Sequence, residues 1–328
     1  MNRSDLCDSS ANTAVSEHHS QDLALLHLGQ RLQQQQYRFV TVTPLTHLRV
    51  NGREENRTAH NLRDIFGWSR PFEAGLLGAQ EHQALFQSGF LHPQADMWVS
   101  GVRWSSLDDL LLVHSSFPTQ AHDSVFFGPD TYRFAQAVEG FLQSSVHPIQ
   151  TAVDIGCGSG VGAILIARAR PDAQVTALDI NPLALRFTAV NASLAGVDNV
   201  CACHSDILAG TTGCFDLIVV NPPYMQDTQR RAYRHGGEHL GSELSVCILA
   251  QAIDRLTPGG SVILYTGAPC VEGVDLFLEQ ALPLVDRPGL AWSYREMDPD
   301  VFGEELETVI YREVERIAAV VLIVTKRH

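Results

Sequence analysis

Val153-Asp154-Ile155-Gly156-Cys157-Gly158-Ser159-Gly160 joins a short apolar run to glycines at alternate positions, and a stretch rich in Ala and Ile follows at once. An apolar run bounded by glycine reads as a buried strand, and the following stretch as a buried helix. Glycines at this junction let the backbone turn sharply and approach a ligand with no Cβ in the way, at the carboxyl edge of the sheet, where open α/β folds bind ligands. Gly158-x-Gly160-x-x-Ala163 also satisfies the relaxed dinucleotide pattern, so a nicotinamide enzyme competes at this point.

Working outward, strands are predicted at 151–155, 174–179, 199–204, 215–220 and 261–266, with helices opening near 161, 182 and 243. That alternation describes a Rossmann-like, doubly wound and mainly parallel sheet. Two final strands, 290–296 and 316–325, complete seven and close the far edge. The domain is expected to span 126–328, beginning at Phe126-Phe127-Gly128-Pro129-Asp130-Thr131, a turn into a helix capped by Asp130 or Thr131 with Phe134, Val138 and Phe141 as its stripe. Upstream, 21–125 reads as a smaller α+β domain: an amphipathic helix from Asp22 carrying Leu25, Leu26, Leu28 and Leu32, short helices within 57–90, then strand-like stretches 97–104 and 110–114. Helices followed by a hairpin suggest a winged-helix type. From Arg49 to Arg103, however, six Arg are matched by six Asp or Glu, a balance unlike a DNA-binding face. A substrate-recognition or packing role is expected instead. Residues 1–20 are expected to be a disordered tail in which His18-His19 are solvated.

The chain has 328 residues and a net charge of −14. That charge repels polyanions, so nucleic acid is disfavoured as a partner. No run approaches a membrane span and the polar N-terminus is unlike a signal peptide, which predicts a cytoplasmic protein without membrane attachment. The seven cysteines are read as reduced. Cys201-x-Cys203-His204 is rejected as a metal site because neighbouring strand residues point to opposite faces, and no metal is expected.

Asp179 ends the second strand about twenty residues after the glycines, where a carboxylate can accept both ribose hydroxyls. Asp206 follows the third strand and can accept from an adenine amino group. The fourth strand runs straight into Asn221-Pro222-Pro223-Tyr224. Two prolines fix φ and remove backbone donors, leaving carbonyl oxygens as rigid acceptors at the sheet edge. The Asn221 side-chain oxygen and the Pro222 carbonyl can accept both N–H bonds of an NH₂ group, while Tyr224 offers an aromatic face to a planar substrate. Tyr233-Arg234-His235-Gly236-Gly237-Glu238-His239 reads either as a glycine-hinged lid with polar contacts from His235 or Glu238, or as an ordinary loop. The Gly-Gly pair argues against a zinc helix through His235 and His239.

On these motifs, residues 126–328 resemble the class I S-adenosylmethionine-dependent methyltransferases with an N-P-P-Y signature, most closely the "small" group that includes release-factor glutamine N5-methyltransferases. The resemblance implies S-adenosylmethionine as cofactor, held by Asp154, Gly156, Cys157, Gly158, Gly160, Asp179, Ile180, Asp206, Ile207 and Asn221. It implies catalysis by Asn221, Pro222 and Tyr224, and a substrate site of Asn221, Pro222, Pro223, Tyr224 and His235. Where that family carries a Pro-Arg-Pro-Glu-Thr-Glu-like segment, this chain retains a Pro129-Asp130-Thr131 core. The expected activity is N-methylation of an amide or amino nitrogen on a small molecule or a glutamine-like protein side chain. N-methylation of an exocyclic amine on a flipped base is the alternative, and a non-catalytic binding module is a third class.

Overall fold

The computed structural model describes residues 15–328, with side chains from Gln21 onward. Residues 1–14, and the side chains of His18 and His19, lie outside the described residues, so the expectation of a disordered tail falls largely there. The first helix, α1, runs Val15–Gln34 and so opens ahead of Asp22. Among the described residues no helix is long and apolar enough to cross a membrane.

The chain divides into two compact units. The first takes the residues up to Gln120, with Val125–Pro129 and Ala189–Gly196. In it α1 is followed by α2 (Pro44–Asn51), α3 (Leu62–Phe66) and α4 (Ala79–Gln87), then by β1 (Leu91–Gln94), β2 (Met97–Ser100), β3 (Val102–Leu107) and β4 (Leu110–Ser115). Leu25, Leu28 and Leu32 of α1 are buried, as their spacing predicts. The stretch 97–104 is not one strand. It breaks at Gly101, so β2 pairs with β1 and β3 with β4, in two separate antiparallel hairpins. Gly101 donates to the Phe90 carbonyl, and a Cβ there would lie 3.0 Å from the His92 ring, so the break sits at a close approach.

The second unit holds α5 (Pro129–Ser144) from Asp130 onward, β5 (Thr151–Ile155), α6 (Val161–Ala169), β6 (Gln174–Asp179), the first part of α7 (Pro182–Leu194), β7 (Val200–His204), β8 (Phe215–Val220), α8 (Glu243–Asp254), β9 (Leu256–Val271), β10 (Val274–Asp275), α9 (Leu276–Val285), β11 (Leu290–Asp298) and β12 (Arg316–Lys326). The strand order is β11-β12-β9-β8-β5-β6-β7, with β10 as a short addition to β9. Pairings from β7 through β9 are parallel, and β12 joins β9 and β11 antiparallel. The chain steps from β5 outward through β6 to β7, then returns on the other side of β5 as β8. This is the switch point where open α/β sheets leave a crevice beyond their strand ends.

Two features of β9 differ from the sequence reading. The strand starts at Leu256, because Leu256 pairs with Phe215 before the register shifts to Leu217 opposite Ser261. Pro258-Gly259-Gly260 is thus absorbed as a bulge, with Gly259 at φ +84. At its other end β9 outlasts β8, whose pairing stops at Leu264, because β12 continues the ladder to Cys270. One face of the sheet carries a continuous core in which Val153, Ile218, Val262 and Val320 pack with Leu249 and Ile253 of α8 and Phe277 of α9.

Candidate functional site

The glycine loop leaves β5 at Ile155. Gly156 has φ +67, and a Cβ on it would meet nothing within 4 Å, so open space lies above the loop. Gly160, at φ +81, leads into α6, and a Cβ there would come within 2.8 Å of Thr188. The loop is tied down at three points. Cys157 N donates to Leu178 O at 2.9 Å, Gly158 N to Asp179 Oδ2 at 2.9 Å, and Gly160 N to Cys157 O at 2.7 Å. Asp154 does not reach this space. It is 2 % exposed and its Oδ2 accepts from Ala163 N at 2.9 Å, so it braces the first turn of α6 from below. Burial pushes its carboxyl up to about 7, against the pull of the Ala163 and Gly162 amides.

Asp179 sits half-exposed at the end of β6, with Oδ1 accepting from Asn181 N and Oδ2 from Gly158 N, both at 2.9 Å. Each carboxylate oxygen has a further lone pair for a diol. Burial raises this carboxyl above its ordinary range. Beside it Ile180 is 51 % exposed, an apolar surface at a strand end. Past β7, Asp206 is exposed and Ile207 takes φ +50, with its carbonyl held by the Ser205 hydroxyl at 2.9 Å. A β-branched residue in the left-handed region costs about 1–3 kcal/mol and concentrates at ligand sites. An open glycine loop, a paired-oxygen carboxylate, an exposed Ile and an acidic strand end fit an adenosyl group.

At the end of β8, Asn221 is half-exposed and Pro222 is buried. Among the described residues, neither the Asn221 side chain nor the Pro222 carbonyl is spent on a hydrogen bond within the protein. Tyr224 departs from its expected role as an open aromatic face, being only 8 % exposed. Its ring lies on Gly267 of β9, where a Cβ would come within 2.4 Å, and Tyr265 and Phe302 meet it edge-on, with ring centroids 6.5 and 5.9 Å away. A strand glycine marks such a close approach. Burial, and then the Asp130 charge, push the Tyr224 hydroxyl well above its usual range.

Asp130 is the residue that sequence reasoning undervalued. Expected as a helix cap, it is 3 % exposed and accepts from Tyr265 Oη at 2.5 Å and from Arg133 at 3.3 Å. Arg133 in turn donates to Asp298 at 2.6 Å. Burial raises the Asp130 carboxyl. The signal was present in Pro129-Asp130-Thr131, but nothing local shows which distant tyrosines converge on it.

The 225–241 segment is tied down along its length. It folds back on itself through a bridge between Met225 and His235, with Met225 N donating to Arg234 O at 3.1 Å and Gly236 N to Met225 O at 2.8 Å. Arg231 grips both oxygens of Asp227, at 2.9 and 2.6 Å, and holds that carboxyl down at about 2. Buried Tyr311 fastens the segment, accepting from Gln226 N at 2.8 Å and donating to Leu240 O at 3.1 Å, while Arg234 pairs with Glu305. His235 is half-buried, and its buried Nδ1 has no hydrogen-bond partner among the described residues. Glu238 is exposed and accepts from Gln226 Nε2 at 3.1 Å. Among the described residues no group of three or more His, Cys, Asp or Glu side chains is placed to hold a metal ion.

An open glycine loop thus lies at the switch point beside an unspent Asn-Pro-Pro edge. Residues 139–269 match the methyltransferase small domain. The chain is 37 % identical over 164 residues to a release factor glutamine methyltransferase of Deinococcus radiodurans, covering 47 % of this chain and 55 % of that one. It is 33 % identical over 130 residues to a ribosomal protein uL3 glutamine methyltransferase of Neisseria meningitidis, covering 36 % and 43 %. The chain thus spans about half the length of the curated relatives it matches. Among solved structures, a tRNA m1G37 methyltransferase of M. jannaschii aligns at a TM-score of 0.47 and 14 % identity, covering 70 % of this chain and 57 % of that one. The methyltransferase small domain, as matched here, contains the glycine loop, Asp179, Asp206 and Asn221 to Tyr224. Asp298, Phe302 and Tyr311, which hold Arg133, Tyr224 and the 225–241 segment, lie beyond it.

Proposed function

We propose that residues 126–328 transfer a methyl group from S-adenosylmethionine to the nitrogen of an amide or amine, with a glutamine-like protein side chain in the cytoplasm as the first choice of acceptor and 21–125 contributing recognition. The observation that carries this reading is the pair of unspent acceptors, Asn221 Oδ1 and the Pro222 carbonyl, at the switch point beside the glycine loop. The relatives named as glutamine methyltransferases support a protein amide.

The cofactor would supply a methyl carbon already activated by a sulfonium leaving group. Gly156 to Gly160 and Asp179 would hold it, with Ile180, Asp206 and Ile207 around the adenosyl end. Asn221 and Pro222 accept the two N–H bonds of the acceptor and so aim its lone pair. An amide nitrogen is a poor nucleophile because its lone pair is delocalised. Hydrogen bonds to fixed acceptors strengthen as positive charge grows on that nitrogen, which is where preorganised polar groups lower a barrier most. The fastened 225–241 segment helps keep water from the site. The buried Tyr224 forms part of the wall, and its small exposed area disfavours stacking with a planar base.

The test is incubation of protein, nucleic-acid and small-molecule extracts with isotopically methyl-labelled S-adenosylmethionine, read by mass spectrometry. Label on a glutamine side chain is expected. Label on RNA or DNA would replace the reading with base methylation. A calorimetric titration in which NADH binds and S-adenosylhomocysteine does not would overturn the cofactor.

A further inference from the structure

Outside the site, two of the described thiols are placed together. Cys201 and Cys203 share one face of β7, and their Sγ atoms lie 3.4 Å apart. Cys201 is exposed, and Cys203 is half-buried against the core. Their residues pair with Thr176 and Leu178 of β6. β7 ends the strand order, so among the described residues its other edge carries no ladder. His204 points to the opposite face, so the pair has two sulfurs and no third ligand on its own strand. Among the described residues no third His, Cys, Asp or Glu completes a metal-holding group with them, which leaves dithiol chemistry.

We propose that Cys201 and Cys203 form a dithiol modification site that chelates trivalent arsenicals and closes to an intrastrand disulfide under a hydroperoxide. In the oxidation, the Cys201 thiolate attacks the peroxide oxygen and takes up a hydroxyl as sulfenic acid, releasing water or an alcohol. The Cys203 thiol then attacks that sulfur, forming the S–S bond and releasing a second water. Two thiols are oxidised and one peroxide is reduced. Closure draws the sulfurs from 3.4 Å to about 2.05 Å, which an end strand accommodates by puckering on its unpaired side. The pucker lies three residues before Asp206 and two before Ser205, whose N–H donates to Asp179 O at 3.1 Å. Oxidation therefore weakens cofactor binding, a consequence that rests on the function proposed above.

Phenylarsine oxide and intact-mass spectrometry test the site itself on the full chain. The expected result is one adduct that survives a monothiol and is removed by a dithiol, with retention falling about a hundredfold in Cys201→Ser and in Cys203→Ser because two-point attachment is lost. Cys214 and Cys247 are exposed on other segments, so a dithiol-sensitive adduct that persists in either single variant would overturn the proposal. Hydrogen peroxide should remove one pair of hydrogens from the wild type, with both positions blocked to alkylation, and should leave sulfenic acid in each single variant. Calorimetry with S-adenosylhomocysteine separates the two readings. Binding that is weaker after oxidation and restored by dithiothreitol supports the coupling, and unchanged binding refutes it. If the reduced protein binds no S-adenosylhomocysteine, the proposed function fails while the arsenical result still decides the dithiol.

Discussion

Replacing Asp154 by Asn tests how the glycine loop is held. The carboxyl lies beneath α6 with its Oδ2 on Ala163 N, and burial raises it from its ordinary 3.8 to about 7. A carboxyl raised in the folded state contributes stability that is complete below the unfolded pKa and is lost as pH rises through the folded one. The wild type should therefore lose stability between pH 4 and 7, by up to about 4 kcal/mol at 1.36 kcal/mol per unit, an upper bound. Asn cannot ionise, and it keeps an oxygen for Ala163 N. Its NH₂ group faces a site furnished with donors, which costs about 1–3 kcal/mol at every pH. The variant should be less stable than the wild type at pH 4.5, and should overtake or match it by pH 8.5. Urea unfolding of both proteins across that range measures the difference. A gap that stays constant with pH would refute the claim that desolvation outweighs the helix amides at this carboxyl.

Asp130→Ala strands the Tyr265 hydroxyl and leaves Arg133 with Asp298 alone, and should cost about 3 kcal/mol in urea unfolding, the size expected for breaking a buried charged hydrogen-bonded group; a cost below about 0.5 kcal/mol would mean the cluster braces nothing. Asn221→Ala should lower methyl transfer by about a hundredfold or more while leaving S-adenosylhomocysteine affinity within a few fold, since the side chain acts on the acceptor nitrogen; equal losses in both would place Asn221 with the cofactor. Gly162→Ala would put a methyl 2.8 Å from Asp154 Oδ2 and 2.9 Å from Val219 Cγ2, and should cost about 1–3 kcal/mol by thermal or urea unfolding. Arg231→Ala removes the grip that holds Asp227 at about 2. Because that carboxyl is depressed, its stability is present above pH 4 and lost towards pH 2, so the wild type but not the variant should show an acid-side loss of up to about 2 kcal/mol.

Much of the second unit was readable from local pattern. Strand starts at 151, 174, 215, 290 and 316 and helix starts at 161, 182 and 243 agree with the observed elements; for the parallel strands at 151, 174 and 215 the reason is that buried parallel strands are near-continuous apolar runs bounded by turn residues. Where the reading failed, the information was not local. The stretch 97–104 has strand composition throughout, and its division between two hairpins at Gly101 depends on which strand each half pairs with. The ends of β9 are set by its neighbours, Phe215 at one end and β12 at the other.

The site divides the same way. The glycine loop, Asp179, Asp206 and Asn221-Pro222-Pro223 are each within a few residues of a strand end, so sequence by itself determined that they meet at one sheet edge, since parallel strands of a doubly wound sheet present their carboxyl ends together. Tertiary structure alone decided what surrounds them. Asp130 and Tyr265 are 135 positions apart in the chain yet share a hydrogen bond, and Tyr311 fastens Gln226 across 85 positions. Those contacts bury Tyr224 beside Tyr265 and fasten the 225–241 segment. The physical reason is that backbone geometry and periodicity are written in neighbouring residues, whereas burial and hydrogen-bond partnership depend on which distant side chains the packed sheet brings within reach.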